Sequence, residues 1–369
     1  MIVLFFAVLL VPLMFTRWES GGVSVEENRN LAKFPPLVTD GRFNLSFTKE
    51  FETWFMDHLG FREQMISTNK TILKKVFDRS LTTSSYKTGK TGDSIYASDA
   101  IIKDFAHVNL RSEKEVEKIG QSYQKISDWL GEKGIPFYYV QCVDKQTVYP
   151  ERFIESVMQV GNVSKTDQVM TYLQDKTTVN AIYLKQVLQD NRDKYDVFSH
   201  WGDPTHWTDR GAYIGYRYMM EQINPDMQTA LKVLTQDDYN ITYKSAKGPD
   251  NQTEQIEVFT IENPAAQKTD VSVLGQWASD QRHSVWQNPQ AGNDMRLLLV
   301  CDSYFNGYLI EDIAESFGEV WLVWGDYTKQ IPEIVELCDP DLVIYECAER
   351  VDRSADVCSL AKKLRESAS

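Results

Sequence analysis

A hydroxyl, an imidazole and a carboxylate brought within hydrogen-bonding reach make an acyl-transfer site, and this sequence offers few ways to assemble one. Only His58, His107, His200, His206 and His283 can serve as a base near neutral pH. Two of them fall in Ser199-His200-Trp201-Gly202-Asp203-Pro204-Thr205-His206-Trp207, where Gly202 and Pro204 predict a tight loop. Asp203 stands three residues before His206. From there a carboxylate can hold one ring nitrogen and leave the other free to take a proton. The same spacing equally suits a loop histidine that caps the helix starting near Asp209. A nucleophile is offered by Arg296-Leu297-Leu298-Leu299-Val300-Cys301-Asp302-Ser303, an apolar strand followed by the turn Asn306-Gly307 and an apolar helix. A serine where a central strand gives way to a helix is held as a nucleophile must be, and N–H groups at the helix start can meet an oxyanion. Serine is also a common N-cap. Asp302 points to the opposite face of an extended strand end and reads as a helix-start acceptor.

The elements that must position these groups alternate. Apolar spacing predicts a helix at 113–133, with Val116, Ile119, Tyr123, Ile126 and Leu130 on one face, then a buried strand at 135–142. A helix at 179–190, a short strand at 195–198 and a helix at 209–223 follow. Three more buried strands are read at 295–300, 320–324 and 342–347, with helices at 309–317, 331–337 and 355–366. This pattern predicts an α/β fold with a mostly parallel sheet, helices on both faces, and a site at the strand carboxyl ends. The polar interval at about 224–293 reads as an insertion shaping that site. Before all this, 47–77 reads as two helices around Gly60, and Ser94-Ile95-Tyr96 as a short β stretch.

Composition excludes several functions. The 369 residues are 42% apolar and 25% charged, as in folded soluble chains. Lys and Arg number 39 against 53 Asp and Glu, a net charge of −14 that argues against nucleic acid. The five cysteines show no CxxC and no cluster with histidine, so neither a zinc site nor a disulfide framework is indicated. Cys338 and Cys358 flank the last strand and could pair or stay free. No cofactor or metal is implied. Ile2 to Thr16 carries no charge and is followed by Arg17 and Trp18. This reads as a membrane anchor or uncleaved signal over 1–18, although fifteen helical residues span only about 23 Å. Residues 19–46 read as a linker and 47–369 as the folded domain, carried outside the cytoplasm by a single-pass anchor.

The chain resembles the SGNH-like domain of the alginate O-acetyltransferase and DHHW protein family, a permuted branch of the SGNH hydrolases. The resemblance rests on an ordered set of pieces: Glu27-Asn28-Arg29-Asn30-Leu31-Ala32 with Phe34-Pro35-Pro36, and Phe51 to Arg62 with its Asp57-His58 pair. Asp144-Lys145, Thr205-His206-Trp207, Asp302-Ser303-Tyr304 and Glu349-Arg350 follow. It implies Ser303 as nucleophile, His206 as general base and Asp203 beside it. In this family the aspartate usually stands two residues before the histidine, where this chain has Pro204; Asp203 instead recovers the spacing of ordinary SGNH hydrolases. Asp144, Lys145, Tyr304, Trp207 and Arg350 are expected as possible site-lining residues, and Asp57, His58 and Arg62 as a locked turn. The function implied is transfer of an acetyl group to a polysaccharide hydroxyl through an acyl-serine, with a multi-spanning membrane O-acyltransferase as donor. The alternatives are a carbohydrate acetylesterase with the same site and a non-catalytic polysaccharide-binding or assembly protein.

Overall fold

The structure is a computed structural model and describes residues 10–18, 23–24, 29–39, 42–62, 64, 65, 68 and 86–367. Residues 2–9 of the apolar N-terminal run lie outside them, as do Glu27, Asn28 and most of the second helix read at 47–77. Among the described residues no helix is long and apolar enough to cross a membrane.

The chain forms two compact units, Met1–Lys87 and Thr88–Ser369. In the first, the helix Phe47–His58 follows from apolar residues at helical spacing. It buries Trp54 completely against Phe34, Phe51 and the His58 ring. Asp57 accepts from the Ala32 N–H at 2.8 Å, and His58 Nδ1 bonds the Trp54 carbonyl at 2.8 Å. The Asp-His pair thus locks this turn. Gly60 allows a close approach rather than simply breaking a helix: a Cβ there would meet the Pro12 carbonyl oxygen at 2.6 Å.

The second unit is built on strands β1 (Phe137–Cys142) and β2 (Asn180–Tyr183), a hairpin of β3 (Tyr239–Lys247) and β4 (Thr253–Ile261), then β5 (Gln267–Lys268), β6 (Ser284–Gln287), β7 (Arg296–Cys301), β8 (Glu319–Trp324) and β9 (Leu342–Ala348). Seven of these form one sheet in the order β5-β6-β8-β7-β9-β1-β2. Pairing is parallel from β8 to β2 and antiparallel at β5 and β6. Alternate residues of β7 serve opposite cores. Leu297 and Leu299 meet the helix Asp209–Ile223 through residues such as Tyr216 and Met219, while Leu298 and Val300 share a core with the helices Glu113–Gly131, Ile331–Cys338 and Ser354–Ser367. Both faces are covered, which is why these strands read as unbroken apolar runs.

Three readings need correction. Residues 179–190 are not one helix but β2 followed by the helix Lys185–Asn191; a four-residue edge strand is too short for periodicity to distinguish. No strand occupies 195–198. Val197 and Phe198 are fully buried, but their segment is a loop with no ladder partner. The helix read at 309–317 is shorter, Ile310–Ala314, and a separate helix, Ser303–Tyr308, precedes it because Asp302 caps a start immediately after β7. Much of the polar interval is ordered, supplying the β3–β4 hairpin and both antiparallel strands. All five cysteines are free thiols.

Gly211 shows how tightly the loop before the Asp209–Ile223 helix is packed, since a Cβ there would sit 2.3 Å from the Val197 carbonyl oxygen. Gly211→Ala should therefore lower stability by about 1–3 kcal/mol, read as an earlier urea midpoint; an unchanged midpoint would show that this backbone contact is easily relaxed.

Candidate active site

Asp203 and His206 are set by one short turn. Asp203 Oδ1 accepts from the Thr205 N–H at 2.7 Å and the His206 N–H at 3.1 Å, while Pro204 presets the backbone angle between them. The Thr205 hydroxyl donates to the same oxygen. Oδ2 is then aimed at His206 Nδ1, 2.9 Å away. Burial opposes ionisation of Asp203, but hydrogen bonds from His206 and Thr205 outweigh it and hold the carboxyl below the usual carboxylate range. The Tyr308 hydroxyl also donates to Oδ2, at 3.1 Å. Pro204, which displaces the aspartate from the family's usual position, thus belongs to the turn that brings Asp203 to the ring.

Ser303 is held from the sheet. Asp302 Oδ1 caps the Tyr304 N–H at 2.9 Å, and its Oδ2 accepts from the Ala348 N–H at the end of β9 at 2.8 Å. The Asp302 N–H donates to Glu346 Oε2 at 2.9 Å. Burial pushes the Glu346 carboxyl well above its ordinary range. So fixed, Ser303 Oγ lies 2.8 Å from His206 Nε2, joining groups 97 residues apart. Because an ionised Asp203 can only accept, Nδ1 carries the ring proton and Nε2 accepts from the serine hydroxyl. The imidazole sits between the rings of Tyr304 and Tyr308, at 5.2 and 5.4 Å.

Loops from β9, which pairs with β7, and from β1, the next strand out, close the site. Arg350 pairs with Asp144, donates to the Thr205 carbonyl at 3.1 Å, and places Nη2 3.3 Å from His206 Nε2. Burial works against its charge, and Asp144 more than restores it. The Tyr304 hydroxyl lies within 3.1 Å of Asp144 Oδ1, the Val143 carbonyl and the Thr205 carbonyl. Asp144, Tyr304 and Arg350 are thus assembled with Ser303, His206 and Asp203.

Two expected lining residues lie elsewhere. Trp207 is buried behind the site, with its ring 4.9 Å from that of Tyr304. Lys145, 1% exposed, donates to the carbonyls of Ser94 at 2.9 Å and His200 at 3.2 Å. Burial pushes its ammonium down to about 8 despite Asp93 at 3.6 Å. The Asp93 carboxylate also lies 2.9 Å from His200 Nδ1. On the same loop, Glu254 accepts from the Ser199 hydroxyl and the N–H groups of His200 and Trp201 at 2.8–3.0 Å. Asp93 and Glu254 were not singled out from sequence, and no local motif marks them.

A polar cleft of about 190 Å³ opens beside Asp144 and Glu349 at the carboxyl ends of β1 and β9. A cleft of about 660 Å³ lies where the same strands begin, around Gly134 and Pro340, at the wrong end of the sheet for this chemistry. Among the described residues no group of three or more His, Cys, Asp or Glu side chains could hold a metal ion.

Residues 103–267 match the family model of the SGNH hydrolase-like domain of acetyltransferase AlgX. That stretch is similar to the SGNH-like domain of this family. The matched stretch includes Asp203 and His206 and ends before Ser303. Bacillus cereus PatB1 has a similar structure, with a TM-score of 0.54 and 17% identity over 74% of this chain and 98% of PatB1. Its structure with a sulfonyl adduct gives a TM-score of 0.51 and 18% identity over 68% of this chain and 94% of that one. The O-acetyltransferase domain of Pseudomonas putida AlgJ gives 0.46 and 14% over 76% and 99%. Curated proteins give no match. At 17–18% identity the likeness to PatB1 shows a shared fold.

Glu349 borders the polar cleft, and burial together with the Asp144 carboxylate pushes it up to about 8. A carboxyl whose folded value exceeds its unfolded one adds stability that is complete below the ordinary value and is lost as pH rises through the folded value. Between about pH 5 and pH 9, Glu349→Gln should therefore lose less of its thermal midpoint than the parent chain. Parallel losses in the two proteins would show that Glu349 is not responsible.

Proposed function

We propose that this chain is an O-acyltransferase that moves an acetyl group to a polysaccharide hydroxyl through an acyl-serine at Ser303. The observation carrying this reading is the continuous chain of contacts from Asp203 through His206 to Ser303, at 2.9 and 2.8 Å. His206 Nε2 takes the serine proton as Oγ attacks the acetyl carbonyl, and gives it to the departing donor oxygen as the first tetrahedral intermediate collapses. The acceptor hydroxyl then loses its proton to the same nitrogen, attacks the acyl-serine, and serine leaves with that proton. The Tyr304 N–H is committed to Asp302. The Ser303 N–H, one of the helix-start donors without an intrahelical partner, is assigned to the oxyanion, a role worth about 3 kcal/mol per donor. The acetyltransferase description of the matched family supports transfer.

Placement outside the cytoplasm belongs to the same proposal and rests on the uncharged run from Ile2 to Thr16. A donor outside the cytoplasm calls for a membrane O-acyltransferase partner. Hydrolysis of acetylated carbohydrate is the second reading, favoured by an Asp203 side chain 37% exposed beside the base.

The purified chain should form one covalent adduct with a sulfonyl fluoride, mapped by mass spectrometry to Ser303. Ser303→Ala should form none, and an adduct persisting in that variant sinks the proposal. Asp203→Asn should cut turnover of a chromogenic acetyl ester by on the order of 10³–10⁴. Release of acetate that an added oligosaccharide neither slows nor diverts would favour the esterase.

A further inference from the structure

A third cleft, of about 390 Å³, is lined in part by Tyr308, whose hydroxyl donates to Asp203, and is not used by the chemistry above. Tyr213, Tyr239, Phe259 and Tyr308 line it, together with Asp209, Lys244, Asn306, Glu311 and Asp312. Its size falls within the range of small-ligand sites. Tyr213, Tyr239 and Phe259 pack on one another at 5.1–5.6 Å, holding the β3–β4 hairpin to the Asp209–Ile223 helix. Packing alone does not use all of these rings, since Tyr213, Phe259 and Tyr308 are only half-buried.

The cleft is connected to the reacting atoms in two ways. Asn306 lies three residues after Ser303 on the same short helix, a rise of about 4.5 Å. Tyr308 contributes its ring to the cleft and its hydroxyl to Asp203 Oδ2. A molecule lying on that ring therefore rests against a side chain bonded to the triad.

We propose that this cleft is the acceptor subsite and that it selects a pyranose oligomer without carboxylates over a polyuronate. The proposal rests on the function proposed above and adds the place and charge of the acceptor. Aromatic faces suit the apolar face of a sugar ring, and carboxylates and amides accept its hydroxyl hydrogens. Two carboxylates, Asp209 and Glu311, and the Asp312 carboxyl face one ammonium, Lys244. The chain as a whole carries −14. A polyuronate would bring like charge into this field. Burial pushes Asp312 up to about 7, and the Tyr239 hydroxyl donates to it, so near neutrality it can accept or donate towards a sugar hydroxyl.

Calorimetric titration of the full chain with four-sugar oligomers of N-acetylglucosamine and of galacturonic acid tests this. The neutral oligomer should bind at least about tenfold tighter at low ionic strength, and added salt should narrow the gap by screening. Glu311→Lys, at an exposed position, should narrow it by strengthening uronate binding. Tyr213→Ala should weaken the neutral oligomer about tenfold, whereas Tyr213→Phe should retain it. Failure of the neutral oligomer to bind, uronate binding as tight at low salt, or neutral binding unchanged in Tyr213→Ala would each overturn the proposal. The titrations are repeated in Ser303→Ala. Binding kept there establishes the subsite even if the sulfonyl experiment removes the serine mechanism, and the reverse pattern leaves the mechanism standing without the subsite.

Discussion

The 2.8 Å contact between Ser303 Oγ and His206 Nε2 is the constraint on which the rest of the site depends. It joins the end of a central strand to a loop without regular structure, so both must be held to a fraction of an ångström. The strand side is held by Asp302, whose carboxylate ties the start of the Ser303–Tyr308 helix to the end of β9. The loop side is held by buried polar groups: Glu254 accepts from the N–H groups of His200 and Trp201, and Lys145 ties the His200 carbonyl to that of Ser94. Burying such groups is costly unless each is partnered, and removing one partner costs more than the pair contributes. The site is therefore positioned by interactions that are weak arguments for stability and strong ones for geometry.

Arg350 bridges the two sides. It sits on the loop after β9, pairs with Asp144 from the loop after β1, and reaches the Thr205 carbonyl and His206 Nε2. Three adjacent parallel strands thus deliver the serine, the arginine and the aspartate to one end of the sheet, as parallel topology requires. The acid–base turn comes from the fourth direction, the loop leading into the Asp209–Ile223 helix.

Much of this was legible because the signals are local. The apolar run before Asp302-Ser303, the Asp-Pro-Thr-His turn and the amphipathic helices each carry their meaning within a few residues, and the structure brings Ser303, His206 and Asp203 together. Tyr304, Arg350 and Asp144 were also reachable, as residues beside strand ends. What escaped is long-range. Nothing near Glu254 or Asp93 announces that they grip a loop; each finds its partners only after the hairpin and the Ser94 segment are in place. Lys145 and Trp207 misled for a related reason: proximity in sequence to a strand end or to His206 does not say whether a side chain turns into the cleft or into the core. The strand Asn180–Tyr183 was missed because four residues at a sheet edge borrow their order from β1.

The Asp203-Pro204-Thr205-His206 turn satisfies its own backbone and orients its own imidazole with atoms drawn from four consecutive residues. The turn is consequently a cassette: most of its geometry closes within itself, and Tyr308 and Arg350 are its partners from outside. Residues of the surrounding hairpin other than Glu254, which moors the loop, can therefore change without altering how the ring is aimed.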